Sequence, residues 1–182
     1  MKPKISDFGM ARIFKKDEVE ANTLRVVGTM GYIPPEYVEQ GIYSTKSDVF
    51  SFGVLFLRII SGKKNTCLHG PDENLNLLEY AFEMWRDGNG MAFMDPSLDD
   101  TTSSCKLLKC MQIALLCVQK NPLDRPTMLK VSYLLKDVNL AMNSPKRPAF
   151  SSREDEEVGN PNGSVQEIGE VDTATITQLF AR

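Results

Sequence analysis

An aspartate followed by phenylalanine and glycine is a compact piece of chemistry, and this sequence carries one at Asp7-Phe8-Gly9. The carboxylate can hold a hard metal ion, the phenyl ring can pack behind it, and Gly9 lets the chain swing away. Alone, such a tripeptide would be an ordinary turn. Here it opens a polar loop dotted with Thr and Arg that closes on Gly31-Tyr32-Ile33-Pro34-Pro35-Glu36. A loop of this kind must be pinned again at its far end, and the Pro-Pro-Glu stop supplies the pin. Both ends in order, with Gly28-Thr29-Met30-Gly31-Tyr32 between them, make a far stronger signal than the tripeptide alone.

The elements that would position these residues can be read from the rest of the 182-residue chain, long enough for one ordinary domain with a sizeable core. With 42% hydrophobic and 25% charged residues its composition is that of a soluble globular protein. Residues 1–142 hold 17 Lys/Arg and 17 Asp/Glu, whereas residues 143–182 hold 4 and 7, so the tail carries the whole net charge of −3. No basic face or aromatic-basic interleaving points to nucleic acid. Met1-Lys2-Pro3-Lys4 shows no signal peptide, and the most apolar run, Val49 to Ile60, is too short to span a bilayer. Cys67, Cys105, Cys110 and Cys117 lack zinc or C-x-x-C spacing, which fits a reduced, cytosolic compartment. The single histidine, His69, has no partner and receives no role.

Residues 1–6 read as a short strand feeding the Asp7 turn. Lys15 to Thr23 is charged and aperiodic, as a mobile loop should be. Ser44-Thr45 precedes a helix from Lys46 to Ser61 that is stopped by Gly62 and is apolar nearly all round, so it should be buried in a larger fold. Asp48 in its first turn suits the positive helix end and neighbouring backbone N–H groups. A second helix is expected over Leu77–Asp87, with Asn76 as cap, Gly88 as stop, and Leu78, Phe82 and Trp85 on one core face. A third covers about Cys105–Lys120, with Leu107, Met111, Ala114 and Val118 inward, and Asp99–Ser104 before it is a surface loop. A fourth, capped by Thr127, ends near Leu140 with Met128, Val131, Leu134, Leu135 and Val138 inward. From Asn143 onward Pro, Ser, Gly and acids dominate, and the tail should remain disordered.

The chain resembles the C-terminal part of plant receptor-like serine/threonine kinases, most of all the S-domain (G-type lectin) and cysteine-rich types. The resemblance is a collinear series over residues 1 to about 142: Lys4 to Arg12, Arg25-Val26-Val27-Gly28-Thr29, Ser47 to Val54, Asp95-Pro96-Ser97-Leu98, Leu115 to Gln119, and Asp124-Arg125-Pro126-Thr127-Met128. The closing Ala174 to Arg182 resembles the end of the S-domain kinases. The resemblance implies a mainly α fold: a partial kinase-like large lobe over 1–142 with an extended activation segment, then a disordered acidic tail over 143–182. It makes Asp7 a magnesium ligand, Thr23 and Thr29 activation-segment residues with Thr23 a phosphorylation site, and Gly28, Thr29, Gly31 and Tyr32 a substrate-positioning loop. Phosphate on Thr23 could pair with Arg25 or Arg12. Glu36 and Arg125 would form a buried ion pair, and Asp48 would brace the catalytic loop. Arg58 stands where relatives carry Glu, and Pro34 where they carry Ala.

The same resemblance implies ATP and Mg²⁺ as cofactors and protein substrates or other receptor kinases as partners. A full-length parent would be membrane-anchored, with this region on the cytoplasmic side of the plasma membrane; the chain alone would be cytoplasmic. Yet the sequence has no G-x-G-x-x-G loop, no V-A-I-K-like strand and no H-R-D-L-x-x-x-N loop. The catalytic base is therefore absent from the chain, and of the catalytic set only Asp7 remains. Three readings follow: a piece of a longer enzyme, a non-catalytic binding module, or an adaptor that never bound nucleotide. Intact Asp7-Phe8-Gly9, Glu36 and Arg125 speak against the third. Without a helix to precede it, the Lys46–Ser61 helix should leave an apolar patch open.

Overall fold

The computed structural model describes residues 4–15, 17–71, 73–98, 104–137 and 140–151. Along them run strand β1 (Glu20–Asn22), helix α1 (Pro35–Gln40), strand β2 (Ile42–Ser44), then α2 (Thr45–Ser61), α3 (Leu77–Arg86), α4 (Gly90–Phe93), α5 (Ser104–Cys117) and α6 (Met128–Lys136). The two strands pair antiparallel, with Ala21 opposite Tyr43. This mainly helical arrangement agrees with the large-lobe architecture expected from sequence.

Local chemistry explains where the helices start. At the head of α2, Ser44 Oγ accepts from the Lys46 N–H at 3.0 Å while Ser47 Oγ accepts from the Ser44 N–H at 3.1 Å, a reciprocal cap. Asn76 Oδ1 takes the Leu78 and Glu79 N–H groups, each at 3.0 Å, and so begins α3. Thr127 Oγ1 accepts from Lys130 N–H at 3.2 Å and begins α6. Gly62, at φ 65°, closes α2 in the left-handed conformation that glycine adopts without strain.

Helix α2 is the axis of the molecule. Phe50, Val54 and Leu57 pack with Leu77, Phe93 and Met111, while Val49 faces Ile113, Cys117, Val131 and Leu134. Burial of each such Leu, Ile or Phe contributes roughly 1.5–3 kcal/mol. Gly53 permits the approach of α5, since a Cβ there would lie 2.7 Å from Cys117 Cβ and 2.8 Å from Val118 Cγ1. The opposite face of α2 is open: Leu55 is 46% and Ile59 62% exposed. The expected all-round burial of this helix is thus corrected on that face, where the expected apolar patch stands.

Other expectations need correction. Residues 4–6 form no strand, because nothing pairs with their backbone among the described residues. The Phe8 ring does not pack behind Asp7; it is 69% exposed. The last helix ends at Lys136 rather than near Leu140, and Met128 and Leu135 of its expected stripe are partly exposed while Val131 and Leu134 are buried. Residues 143–151 were expected to belong to the disordered tail, yet Pro145, Pro148 and Ala149 are buried. Arg147 pairs with Glu83 at 3.0 Å and Gln119 holds the Lys146 main chain, contacts that composition does not reveal. Val138, most of the Asp99–Ser104 loop and residues 152–182, with Ala174 to Arg182, lie outside the described residues.

Candidate functional site

Two segments far apart in sequence meet at one guanidinium. Arg125 is 1% exposed, and all five of its N–H donors have an oxygen. Nη1 and Nη2 reach the two carboxylate oxygens of Glu36 at 2.7 and 2.8 Å, a bidentate pair. Nε donates to the Gln119 carbonyl at 2.8 Å, Nη1 also to the Lys46 carbonyl at 3.2 Å, and Nη2 also to the Lys120 carbonyl at 3.1 Å. The guanidinium lies 5.0 Å from the centroid of the Phe50 ring, and the Lys46 ammonium donates back to the Arg125 carbonyl. A charge removed from water this completely is tolerable only with every donor satisfied. Burial, and then the neighbouring Arg125 charge, lower the pKa of Lys46. Burial pushes the nearby Cys117 thiol up to about 12.

Glu36 is delivered to this point by α1, which begins at the buried Pro34-Pro35 pair and ends at Gly41, at φ 67°. The loop ahead of it is held along its last third. Tyr37 Oη accepts from the Val27 N–H at 3.0 Å, Ser51 Oγ donates to the Tyr32 carbonyl at 2.7 Å, and Asn65 Nδ2 donates to the Gly31 carbonyl at 2.8 Å. Arg58 donates to the Tyr32 hydroxyl and lies 5.9 Å from its ring centroid, so the departure at position 58 now has a local role. Gly28 (φ 141°) and Gly31 (φ 82°) adopt backbone that side chains resist. Thr23 N–H donates to the Gly41 carbonyl at 3.0 Å, and its hydroxyl bonds the main chain of Arg25 at 3.1 and 3.2 Å. Thr29 is exposed, its carbonyl accepting from the Tyr32 N–H at 3.1 Å. Arg12 donates to the Ala11 carbonyl at 3.4 Å.

The Asp7 end differs. Asp7 is exposed at φ 62°, and its Oδ1 accepts from the Gly9 N–H at 3.4 Å. No group of three His, Cys, Asp or Glu that could hold a metal occurs among the described residues. Magnesium asks for near-octahedral oxygen coordination, so the residues described do not by themselves make its site. Asp48 caps nothing: it lies at the surface near the head of α2, no described N–H donates to it, and partial burial raises its pKa. No described helix is long and apolar enough to cross a membrane.

Sequence reasoning placed Glu36 with Arg125 but missed Gln119, Phe50 and Lys46 around them. Gln119 stands at the end of an otherwise apolar run, Leu115-Leu116-Cys117-Val118-Gln119, and a polar residue in that place was the available signal.

Comparison of the sequence with known proteins identifies a family. The protein kinase domain model covers residues 1–134. A G-type lectin S-receptor-like serine/threonine-protein kinase of Arabidopsis thaliana is 50% identical over 153 residues, 84% of this chain and 18% of the relative. Receptor-like serine/threonine-protein kinase SD1-7 of the same plant is 53% identical over 154 residues, 82% of this chain and 18% of the relative. Cysteine-rich receptor-like protein kinase 19, also from Arabidopsis thaliana, is 45% identical over 183 residues, 100% of this chain and 28% of the relative. The chain thus spans less than a third of the length of these relatives. It belongs to the protein kinase family, in the company of the plant receptor-like serine/threonine kinases.

Proposed function

We propose that this chain is the substrate-side part of a receptor-like kinase that transfers the γ-phosphate of ATP to Ser/Thr hydroxyls, and that alone it is inactive. The observation that carries this reading is the Arg125–Glu36 clasp, which fixes the end of the Gly28–Tyr32 loop on α2. In this reading Gly28, Thr29, Gly31 and Tyr32 position the substrate hydroxyl, and phosphate on Thr23 orders the loop through Arg25. Asp7 would be the residue of this chain that offers an oxygen to the Mg²⁺ accompanying ATP in this family. Asp48 braces the catalytic loop, which this sequence does not contain. The full-length parent would act at the cytoplasmic face of the plasma membrane on protein substrates or other receptor kinases. A second reading, a non-catalytic module that binds partners of full-length receptor kinases, is favoured by the open Leu55 and Ile59 face.

The test is direct. The purified chain, given ATP, Mg²⁺ and Ser/Thr peptides, should transfer no more phosphate than its D7A variant. Transfer that D7A abolishes would contradict the inactivity of the chain.

A further inference from the structure

Residues 145–151 occupy a groove between α2, α3 and the end of α5, and they occupy it as a bound peptide does. Gln119, 2% exposed, holds the Lys146 main chain from both sides: its Nε2 donates to the carbonyl at 2.9 Å and its Oε1 accepts from the N–H at 3.2 Å. Ala149 N–H donates to the Val118 carbonyl at 3.1 Å, beside an antiparallel bridge between Gln119 and Pro148. Two positions alternate into pockets. Arg147 lies over the Phe82 ring at 5.4 Å, with its Nη1 3.0 Å from Glu83 and 3.9 Å from Glu79, both buried. Ala149 is fully enclosed, and Asn76 Nδ2 donates to the Phe150 carbonyl at 2.7 Å. Main-chain pairing for affinity and pockets at alternate side chains for specificity are the parts of a peptide-recognition site.

We propose that this groove is a binding site for an extended Arg-Pro-Ala peptide, filled in cis by residues 145–151 and open to the same sequence in trans. Its state is read at the clasp, because two residues serve both. The Gln119 carbonyl accepts from Arg125 Nε at 2.8 Å while its side chain holds Lys146. The Phe50 ring has the Arg125 guanidinium on its face at 5.0 Å and meets the Phe150 ring edge-on at 6.3 Å. Binding in the groove and ordering of the Glu36 end of the loop must therefore favour each other, and the coupling is reciprocal. Neither claim depends on kinase activity.

The experiment uses the full 182-residue chain and a fluorescent peptide copying residues 143–151. The R147E variant loses its grip on Glu83 and Glu79, so it should bind the peptide at least about tenfold more tightly than the wild-type chain, whose groove is filled at a high effective concentration. A peptide carrying Glu in place of the arginine should bind neither chain. In hydrogen exchange, R147E should speed the Gly41 amide, which bonds the Tyr37 carbonyl, and added peptide should slow it again. Should R147E fail to fold, excess peptide added to the wild-type chain should accelerate exchange at its own Ala149 amide. Equal binding to both folded chains, or an Ala149 amide indifferent to peptide in the wild type, overturns the site. A Gly41 amide indifferent to R147E overturns the coupling.

Discussion

At the Glu36 end of the loop, five donors of one buried arginine meet oxygens within 3.2 Å, two of them on Glu36 itself. At the Asp7 end, Ile5, Phe8 and Ile13 are 86%, 69% and 95% exposed, and Leu24 further along is also fully in solvent. Both ends carry residues of the collinear family resemblance. The difference lies in what faces them: the first end is met by residues from α2 and from the turn before α6, whereas Ile5, Phe8 and Ile13 at the second are left in solvent. Order in this loop therefore comes from partners far along the chain, since an exposed Ile or Phe contributes none of the burial free energy that an enclosed one does.

Substitutions can break or sharpen this contrast. The largest effect is expected from R125M, which strands Glu36 and three carbonyls; unfolding in urea should show a loss of roughly 3–5 kcal/mol. Q119L should cost about 1–3 kcal/mol by leaving the Lys146 N–H and carbonyl unpaired. D48N should act in the opposite direction. The folded pKa of Asp48 is raised, so its ionised form costs stability above that pKa, and the cost is absent below its unfolded value of 3.8. D48N should thus raise the melting temperature slightly at pH 7 and leave it unchanged near pH 3. F8S, at the exposed end, should change stability by less than about 0.5 kcal/mol.

How much of this could be read in advance depends on the distance over which each feature is decided. The caps at Asn76 and Thr127 are set within three residues of themselves and were legible in the sequence, where Ser44-Thr45 also marked the head of α2 without singling out Ser44 as its cap. The Glu36–Arg125 pair spans 89 positions and was visible only through resemblance to a family. The groove that receives residues 145–151 escaped, because Lys-Arg-Pro-Ala-Phe reads as tail by composition. Only the fold places Glu83 and Gln119 where that segment can use them. Phe8 was misplaced for the converse reason: its motif implies a cover that no described residue provides.

Residue-resolved hydrogen exchange on the folded chain tests the contrast most directly. The account predicts strong protection of the Val38 and Gly41 amides, whose acceptors are the Pro34 and Tyr37 carbonyls, near-free exchange at Gly9 and Ile13, and loss of the former protection alone in R125M. Equal protection at both ends, or an R125M chain in which Val38 and Gly41 stay protected, would contradict it.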